Sequence, residues 1–522
     1  MTVKTHFKTL ERKAYVKNGA VRLIFASLAI ILEVLWLYFL ATRLYTSAPW
    51  LSTLASFAAL IVAVVVYGRR ENAAMKMMWM MLIISFPPLG VVLYLLTGLT
   101  GSTVAMKRRF NVAEADLSAS LPADEAQLKA VSLSNPQAAG IPHYISRSAH
   151  FPLYRHTAVA FHPDALTAFE ALKKDLSRAE RFIFMEYYAI EDSTAFNEIR
   201  EILKERAKAG VEVRLFYDDI GSIFFINTDF VQRMESDGIR CRVFNPMLPI
   251  ANILMNNRDH RKMTVIDGRI GYTGGYNLAD EYFHLKQPYG YWKDSGVRLE
   301  GPSVCSLTHQ FLIMWNAIRS HDLDDHDFSR YFPDVKPLDA PGFVQPYGDS
   351  PLDNENVGEN VYMSILNSAE HCCWFMTPYL IITDEMVRAF TLAAKRGVDV
   401  RIVTPGIPDK KITYRVTRSS YRQLVQSGVR IYEYTPGFCH AKQCVCDDRL
   451  AVCGTINLDY RSLYHHFEDA VFMMDTPAVA DIRRDFENVF AQSREVTSGY
   501  IARPSAAVHL HETLLRLIAP LL

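Results

Sequence analysis

One pattern occurs twice in this chain and constrains every reading of the rest. RDHRKMTVIDGRIGYTGGYN carries His260, Lys262, Asp267 and Asn277, and CHAKQCVCDDRLAVCGTIN carries His440, Lys442, Asp447 and Asn457. In both, Lys, Asp and Asn follow the His by 2, 7 and 17 residues. Four residue types at three shared spacings mark a duplication rather than a coincidence. The words AKAGVEVRL (207–215) and AKRGVDVRI (394–402) extend the repeat upstream, as do Gly238-Ile-Arg and Gly428-Val-Arg.

The local reading starts from strands. TVIDGRIGYTGG and CVCDDRLAVCGT are rich in β-branched residues and broken by Asp-Gly or Asp-Asp, a hairpin signature. Residues two apart on a strand share a face. His260 with Lys262, and His440 with Lys442, therefore each offer an imidazole and an ammonium to one space. Asp267 and Asp447 have the opposite parity and stand at the turn, where they hold the motif together. Two imidazoles suit a two-step displacement in which one attacks and the other protonates the leaving oxygen. Two lysines, with Asn277 and Asn457, can hold the oxygens of a phosphodiester while its charge is redistributed. Such a set requires no metal and no other cofactor, because fixed cations do the electrostatic work.

Around the motifs the chain alternates strands and helices. Phe182–Tyr188, Val211–Tyr217, Cys373–Pro378 and Val398–Val403 read as strands, with helical stretches at 195–209 and 384–396. This alternation predicts an α/β fold with mixed or parallel sheets covered by helices. Asp218 and Asp219 end a strand, where a pocket wall and a helix cap are equal readings. His284, His465 and His466 lack the paired pattern and read as surface or pocket-wall histidines. Eight cysteines, four of them near His440, do not have zinc-site spacing.

The N-terminal part is different in character. Residues 1–22 are basic, and apolar runs follow at about 23–42, 51–67 and 77–97, the last broken by Pro87-Pro88. A bilayer crossing takes about 20 helical residues. The expectation is a membrane region over 1–109, with the third run a re-entrant or interfacial hairpin. Basic flanks place the catalytic region on the cytoplasmic side. Residues 110–150 read as a polar linker with one short helix, followed by domains at 151–335 and 336–522. The segment MLPIANILMNNRD before His260 is apolar and reads as a cleft lip among acyl chains or as a buried helix. The apolar end LLRLIAPLL packs into the domain or touches the membrane surface. Lys+Arg and Asp+Glu are equal at 56 each, which gives no support to a nucleic-acid partner.

The two motifs resemble the signature of the phospholipase D superfamily, a duplicated His-x-Lys-x4-Asp. The flanking words RDHRK, YTGGYNLADEY, DDIGS and GTINLDYRSLY are similar to those of bacterial cardiolipin synthases. The resemblance implies duplicated phospholipase D-like domains, preceded by transmembrane helices, whose motifs face a shared cleft. It further implies a multi-pass enzyme of the bacterial cytoplasmic membrane, acting on phosphatidylglycerol. Phosphatidyl transfer between two such lipids would give cardiolipin and glycerol through a phosphatidyl-histidine, with His260 as nucleophile and His440 as acid/base. An acid after each Asn, Asp294 and Glu468, would fix the tautomer of a motif His. The same motifs would serve a phospholipase D hydrolase, a phosphatidylethanolamine-using synthase or, less well, a nuclease. Oligomeric state is not legible.

Overall fold

The structure, a computed structural model, describes residues 49–98, 101–246, 257–318, 327–353 and 355–521, with scattered positions between 28 and 43. They fall into two compact units. One takes in the N-terminal residues to Arg108 together with Ile223–Thr228; the other holds both repeats.

The N-terminal unit is helical. Pro49–Tyr67 has 19 residues, Ala73–Ser85 has 13 and Pro87–Gly98 has 12. At 1.5 Å per residue the first is about 28 Å long and the others about 20 Å or less, against a hydrocarbon core of roughly 30 Å. Among the described residues no helix is long and apolar enough to cross a membrane. The third apolar run, 77–97, expected to break at its prolines, is two helices that meet at Phe86, whose backbone leaves the helical region (φ −133°, ψ 69°). Proline cannot supply the next helical N–H and biases the residue before it away from helix. Ala59, Val66, Ile83 and Tyr94 form a small core, and Leu54, Phe57, Leu60, Ile61, Val64 and Val65 are exposed. The expected span at 23–42 falls largely outside the described residues, as does the apolar segment before His260.

The larger unit contains two sheets with one plan. The first runs, edge to edge, Ala158–His162, Gly296–Glu300, Ile270–Gly274, Lys262–Ile266, Phe182–Tyr187, Glu212–Asp218, Arg240–Phe244. The second runs Phe343–Asp349, His466–Met474, Leu450–Gly454, Gln443–Cys446, Cys372–Met376, Asp399–Pro405, Arg430–Tyr434, and adds Ser493–Glu495. Its first seven strands match the first sheet one for one, so the sequence repeat is a repeat of architecture. The central strands are buried on both faces, which is why FIFMEY and CCWFM are nearly continuous apolar runs. Helices Thr194–Lys208 and Asp384–Lys395 stop at Gly210 (φ 90°) and Gly397 (φ 96°), the glycines of the twin words. A positive φ after the last turn is a glycine task.

The stretch expected to be a linker is not one. It contains helices Glu125–Ser134 and Gly140–Arg147, and Leu128, Val131, Ile141 and Ile145 are buried in the core of the second repeat. Widely spaced apolar residues among Ala and Ser suffice for burial because they pack on the core of the second repeat. Cys373, Cys444 and Cys446 belong to the same core, and all eight cysteines are free thiols.

The motif aspartates brace the sheets. Arg269 N–H donates to the Ile266 carbonyl across a turn whose central residues, Asp267 and Gly268, have φ of 54° and 68°. Asp447 and Asp448 repeat this at 50° and 57°. The Asp267 carboxylate accepts the N–H groups of Glu180, Arg181 and Phe182 at 2.7–2.9 Å. Asp447 does the same for Glu370, His371 and Cys372, at 2.7–2.9 Å. Each thus pins the start of the strand beside its motif strand. Charge-assisted bonds of this kind are the stronger ones. Asp447→Ala should lower stability by about 2 kcal/mol, read as a fall in the thermal unfolding midpoint; an unchanged midpoint would remove the bracing role.

Candidate active site

The first repeat's histidine is oriented by the second repeat's acid, and the reverse. His260 Nδ1 lies 2.9 and 3.0 Å from the two oxygens of Glu468. His440 Nδ1 lies 2.7 Å from Asp294 Oδ2. A carboxylate only accepts, so both Nδ1 atoms carry hydrogen and both Nε2 atoms keep the lone pair. Backbone pairing enforces the exchange. Arg258–Asp259 pairs in parallel with His466–Phe467, and His260 N–H donates to the Phe467 carbonyl at 2.9 Å. Gly437–Cys439 pairs in parallel with Tyr291–Lys293, and His440 N–H donates to the Lys293 carbonyl at 2.7 Å.

The lysines complete one shared centre. Lys262 Nζ donates to the His260 carbonyl, and Lys442 Nζ to the His440 carbonyl. Lys442 Nζ also stands 3.1 Å from His440 Nε2. All four side chains are buried. Burial pushes Lys262 down to about 7 and Lys442 down to about 8, and each ammonium adds to the other's environment or to the other's histidine. Burial, then Lys262 and Lys442, holds His260 well below the ordinary histidine value. Burial and Lys442 take His440 to about 4. Each imidazole feels the lysines of both repeats, which places the two motifs in one electrostatic space. Burial alone would raise Asp294, but His440 and Lys442 hold its carboxyl below the ordinary value.

The half-sites differ in how their acids are seated. Glu468 is held by Ser462 Oγ and Thr455 Oγ1, each at 2.5 Å. Gly275 stands where the second repeat has Thr455. A Cβ on Gly275 would lie 2.0 Å from Asp294 Oδ1, so the shorter acid needs the bare backbone there. Asn277 is committed within the protein: its Oδ1 accepts the Ala189 N–H at 3.0 Å and its Nδ2 donates to Tyr282 Oη at 2.7 Å. Asn457 Oδ1 is buried without a partner among the described residues. Asp218 follows the cap reading, accepting from Ile220 N and Gly221 N at 2.9 and 3.2 Å. Its other oxygen accepts the Asp259 N–H at 3.1 Å and so steadies the approach to His260.

Three side chains pack beside the histidines: His466, which in the sequence reads as a surface or pocket-wall histidine, and two tyrosines that carry no signal there. His466 packs 5.4 Å from His260, ring to ring, Tyr188 5.0 Å from His260, and Tyr282 5.4 Å from His440. The signal available for His466 was its place two residues before Glu468, on the same strand face. His260, His466 and Glu468 carry ligand atoms within 4.8 Å of one another, the metal-compatible group found among the described residues. His260 and Glu468 are already bonded to each other in it.

Two histidine–lysine pairs on duplicated sheets, crossed by acids, define a phospholipase D-like site. A family profile described as "Cardiolipin synthase, PLD-like domain" matches residues 172–302 and 362–490, one segment per repeat. Another, "Phospholipase_D-nuclease N-terminal", matches 55–98. Cardiolipin synthase 2 of Staphylococcus epidermidis is 30% identical over 472 residues, covering 88% of this chain and 95% of the relative. Cardiolipin synthase of Halalkalibacterium halodurans is 29% identical, with 94% and 98% coverage. An uncharacterized protein of Streptococcus mutans is 41% identical, with 85% and 96% coverage. The fold is shared with phosphatidylserine synthase of Haemophilus influenzae, with a TM-score of 0.56, 12% identity, and coverage of 74% of this chain and all of the other. The chain belongs to the cardiolipin synthase family of phospholipase D-like proteins.

The seating of Asp294 generates a test that crosses the repeats. Gly275→Ala, in the first repeat, should displace Asp294 and cost at least about 100-fold in kcat through the second repeat's His440. Full activity with a folded protein would break the link.

Proposed function

We propose that this protein is a phosphatidyltransferase that joins two phosphatidylglycerol molecules into cardiolipin and releases glycerol. The observation that carries the reading is the crossed pair of oriented imidazoles with two buried lysines. His260, its Nδ1–H held by Glu468, attacks phosphorus through Nε2. The N–P bond forms, the P–O bond to glycerol breaks, and the leaving oxygen takes a proton from His440. The anionic phosphodiester brings the lysines back toward the ammonium form and supports the His440 imidazolium that this step needs. In the second half, His440 accepts the proton of a hydroxyl on another phosphatidylglycerol. That oxygen attacks phosphorus, the N–P bond breaks, and His260 is restored. Bond energy is kept in the phosphatidyl-histidine, so no nucleotide donor enters. Lys262 and Lys442 hold the non-bridging oxygens; Asn277 positions the Ala189 and Tyr282 neighbourhood, and Asn457 faces the equivalent place in the second repeat. The apolar N-terminal helices, with their exposed Leu54, Phe57, Leu60 and Val64, attach the protein to the bacterial cytoplasmic membrane, where both lipids reside.

Liposomes containing labelled phosphatidylglycerol separate this reading from its neighbours. Cardiolipin and free glycerol are expected from the wild type, and a loss of about 100-fold or more from His440→Ala. Free phosphatidic acid in place of cardiolipin would make the protein a hydrolase. Acid-quenched enzyme should yield a phosphorylated peptide containing His260; label on His440 would reverse the two roles.

The lysines set an alkaline limit. Their ammonium forms hold phosphate, and burial brings Lys262 to about 7 and Lys442 to about 8. Raising the pH through these values removes the charge, so kcat/KM should fall above about pH 7–8. Lys262→Arg, which stays charged, should move that limb upward in whatever activity it retains. A kcat/KM flat to pH 10 would show that the lysines do not titrate in this way.

A further inference from the structure

A cavity of about 350 Å³ lies in the larger unit, apart from the reacting groups but against them: Arg261 and Phe467, two of its walls, are the chain neighbours of His260 and Glu468. Its character is opposite to that of the active site. Glu114, Asp124, Asp349, Asp353 and Glu355 line it. Among the described lining residues Arg261 is the permanent cation, and its guanidinium is already bonded to Glu186 at 2.6 Å and Asp259 at 3.1 Å. Burial pushes the Asp349 carboxyl up to about 8, and the Asp353 carboxylate adds to the rise.

An acidic lining alone would say little, but Gln310 adds an independent observation. It is 3% exposed, it lines the cavity, and neither its amide oxygen nor its nitrogen has a partner among the described residues. A buried amide left in this state costs free energy that a bound ligand would recover. Gly348 keeps the approach open, since a Cβ there would stand 2.8 Å from Gln310 Oε1. The remaining walls include Phe110, Phe151 and Phe467, with the Phe110 and Phe467 ring centroids 5.6 Å apart. Aromatic faces attract cations, most of all where carboxylates stand nearby.

The chemistry narrows further. The carboxylates of the cavity do not converge: among the described residues, the metal-compatible group is His260, His466 and Glu468, not these. A chelated ion is therefore a poor occupant, and the phosphate of a lipid is repelled. The volume is at the lower end of small-molecule pockets, which run from about 300 to 1,000 Å³. We propose that this cavity is a binding site for a small organic cation, a primary amine or diamine. Glu114, which has no hydrogen-bond or ion-pair partner among the described residues, meets the ammonium; Gln310 Oε1 accepts one of its N–H groups, and the aromatic walls cover its methylenes.

The test is calorimetric titration of the full chain in non-ionic detergent with 1,4-diaminobutane, and with 1,4-butanediol as its neutral counterpart. Saturable binding of the diamine and none of the diol are expected, with affinity reduced tenfold or more by Glu114→Gln and by Gln310→Leu. Should Gln310→Leu fail to fold, Glu114→Gln, which keeps the side chain's shape, decides alone. No saturable heat with the diamine, equal binding of the diol, or an unchanged affinity in Glu114→Gln would overturn the proposal. Binding is read without turnover, so its failure and a failure of the lipid-transfer reading are separate results.

Discussion

The crossed imidazole–carboxylate bonds are the constraint on which the rest of this molecule depends. A buried carboxylate without a partner is costly, and so is a buried imidazole with one nitrogen unsatisfied. His260–Glu468 and His440–Asp294 resolve both costs at once, and each does so only when the two repeats are docked. The short parallel pairings of Arg258–Asp259 with His466–Phe467 and of Gly437–Cys439 with Tyr291–Lys293 fix the docking by backbone. Neither repeat by itself orients its motif histidine. Assembly of the unit and assembly of its reaction centre are the same event, and a single chain carrying both copies guarantees their ratio and their register.

Duplication supplies two equivalent half-sites, yet a two-step displacement needs unequal ones. The differences sit in the surroundings. Glu468 is clamped by two hydroxyls and shares its space with His466, while Asp294 is seated against the bare backbone of Gly275. Lys262 donates to the carbonyl of its histidine and lies over the Tyr188 ring, whereas Lys442 stands against the His440 ring. Burial acts on both rings, and Lys442 Nζ lies against the His440 ring, 2.9 Å from Nδ1 and 3.1 Å from Nε2. The surroundings of the two motif histidines are thus unequal although their spacing in the chain is the same.

Much of this was legible in the residues. The spacing of the motifs declared the duplication, the Asp-Gly and Asp-Asp steps declared the turns, and the parity of Asp267 and Asp447 removed them from the reaction centre. Alternation of strands and helices gave two sheets of one plan. The exchange of acids between repeats was not legible, because nearness along the chain favours pairing within a repeat, and only the docked backbones reverse it. The same cause left His466 undecided between surface and pocket wall, since its neighbour His260 is 206 residues away in the chain. Asn277 shows a different limit: its type and spacing fit a phosphate ligand, but its amide is spent on Ala189 and Tyr282. In residues 110–150 the apolar positions were too sparse to announce burial, since the surface that buries them belongs to another part of the chain.

A chain with equal numbers of acids and bases can still handle a doubly anionic reaction path, because charge is placed rather than summed. The reaction centre gathers two lysines where solvent cannot screen them, and burial lowers their proton affinity until an anion arrives. A phosphodiester entering that space meets donors already oriented, so little reorganisation remains as charge moves to the leaving oxygen. On the proposed reading, uptake of a proton accompanies uptake of the lipid, and the lysines hold the charge of the phosphatidyl group as glycerol departs. Glu468 and Asp294 are the carboxylates bonded to the motif imidazoles, and buried Asp469 and Asp459 add to the field at Lys262 and Lys442. The others collect elsewhere, Asp267 and Asp447 at strand starts and Glu114 and Asp349 around the neighbouring cavity. The separation of signs within one neutral chain leaves a cationic pocket fit to receive an anionic phosphodiester, which the proposed function requires.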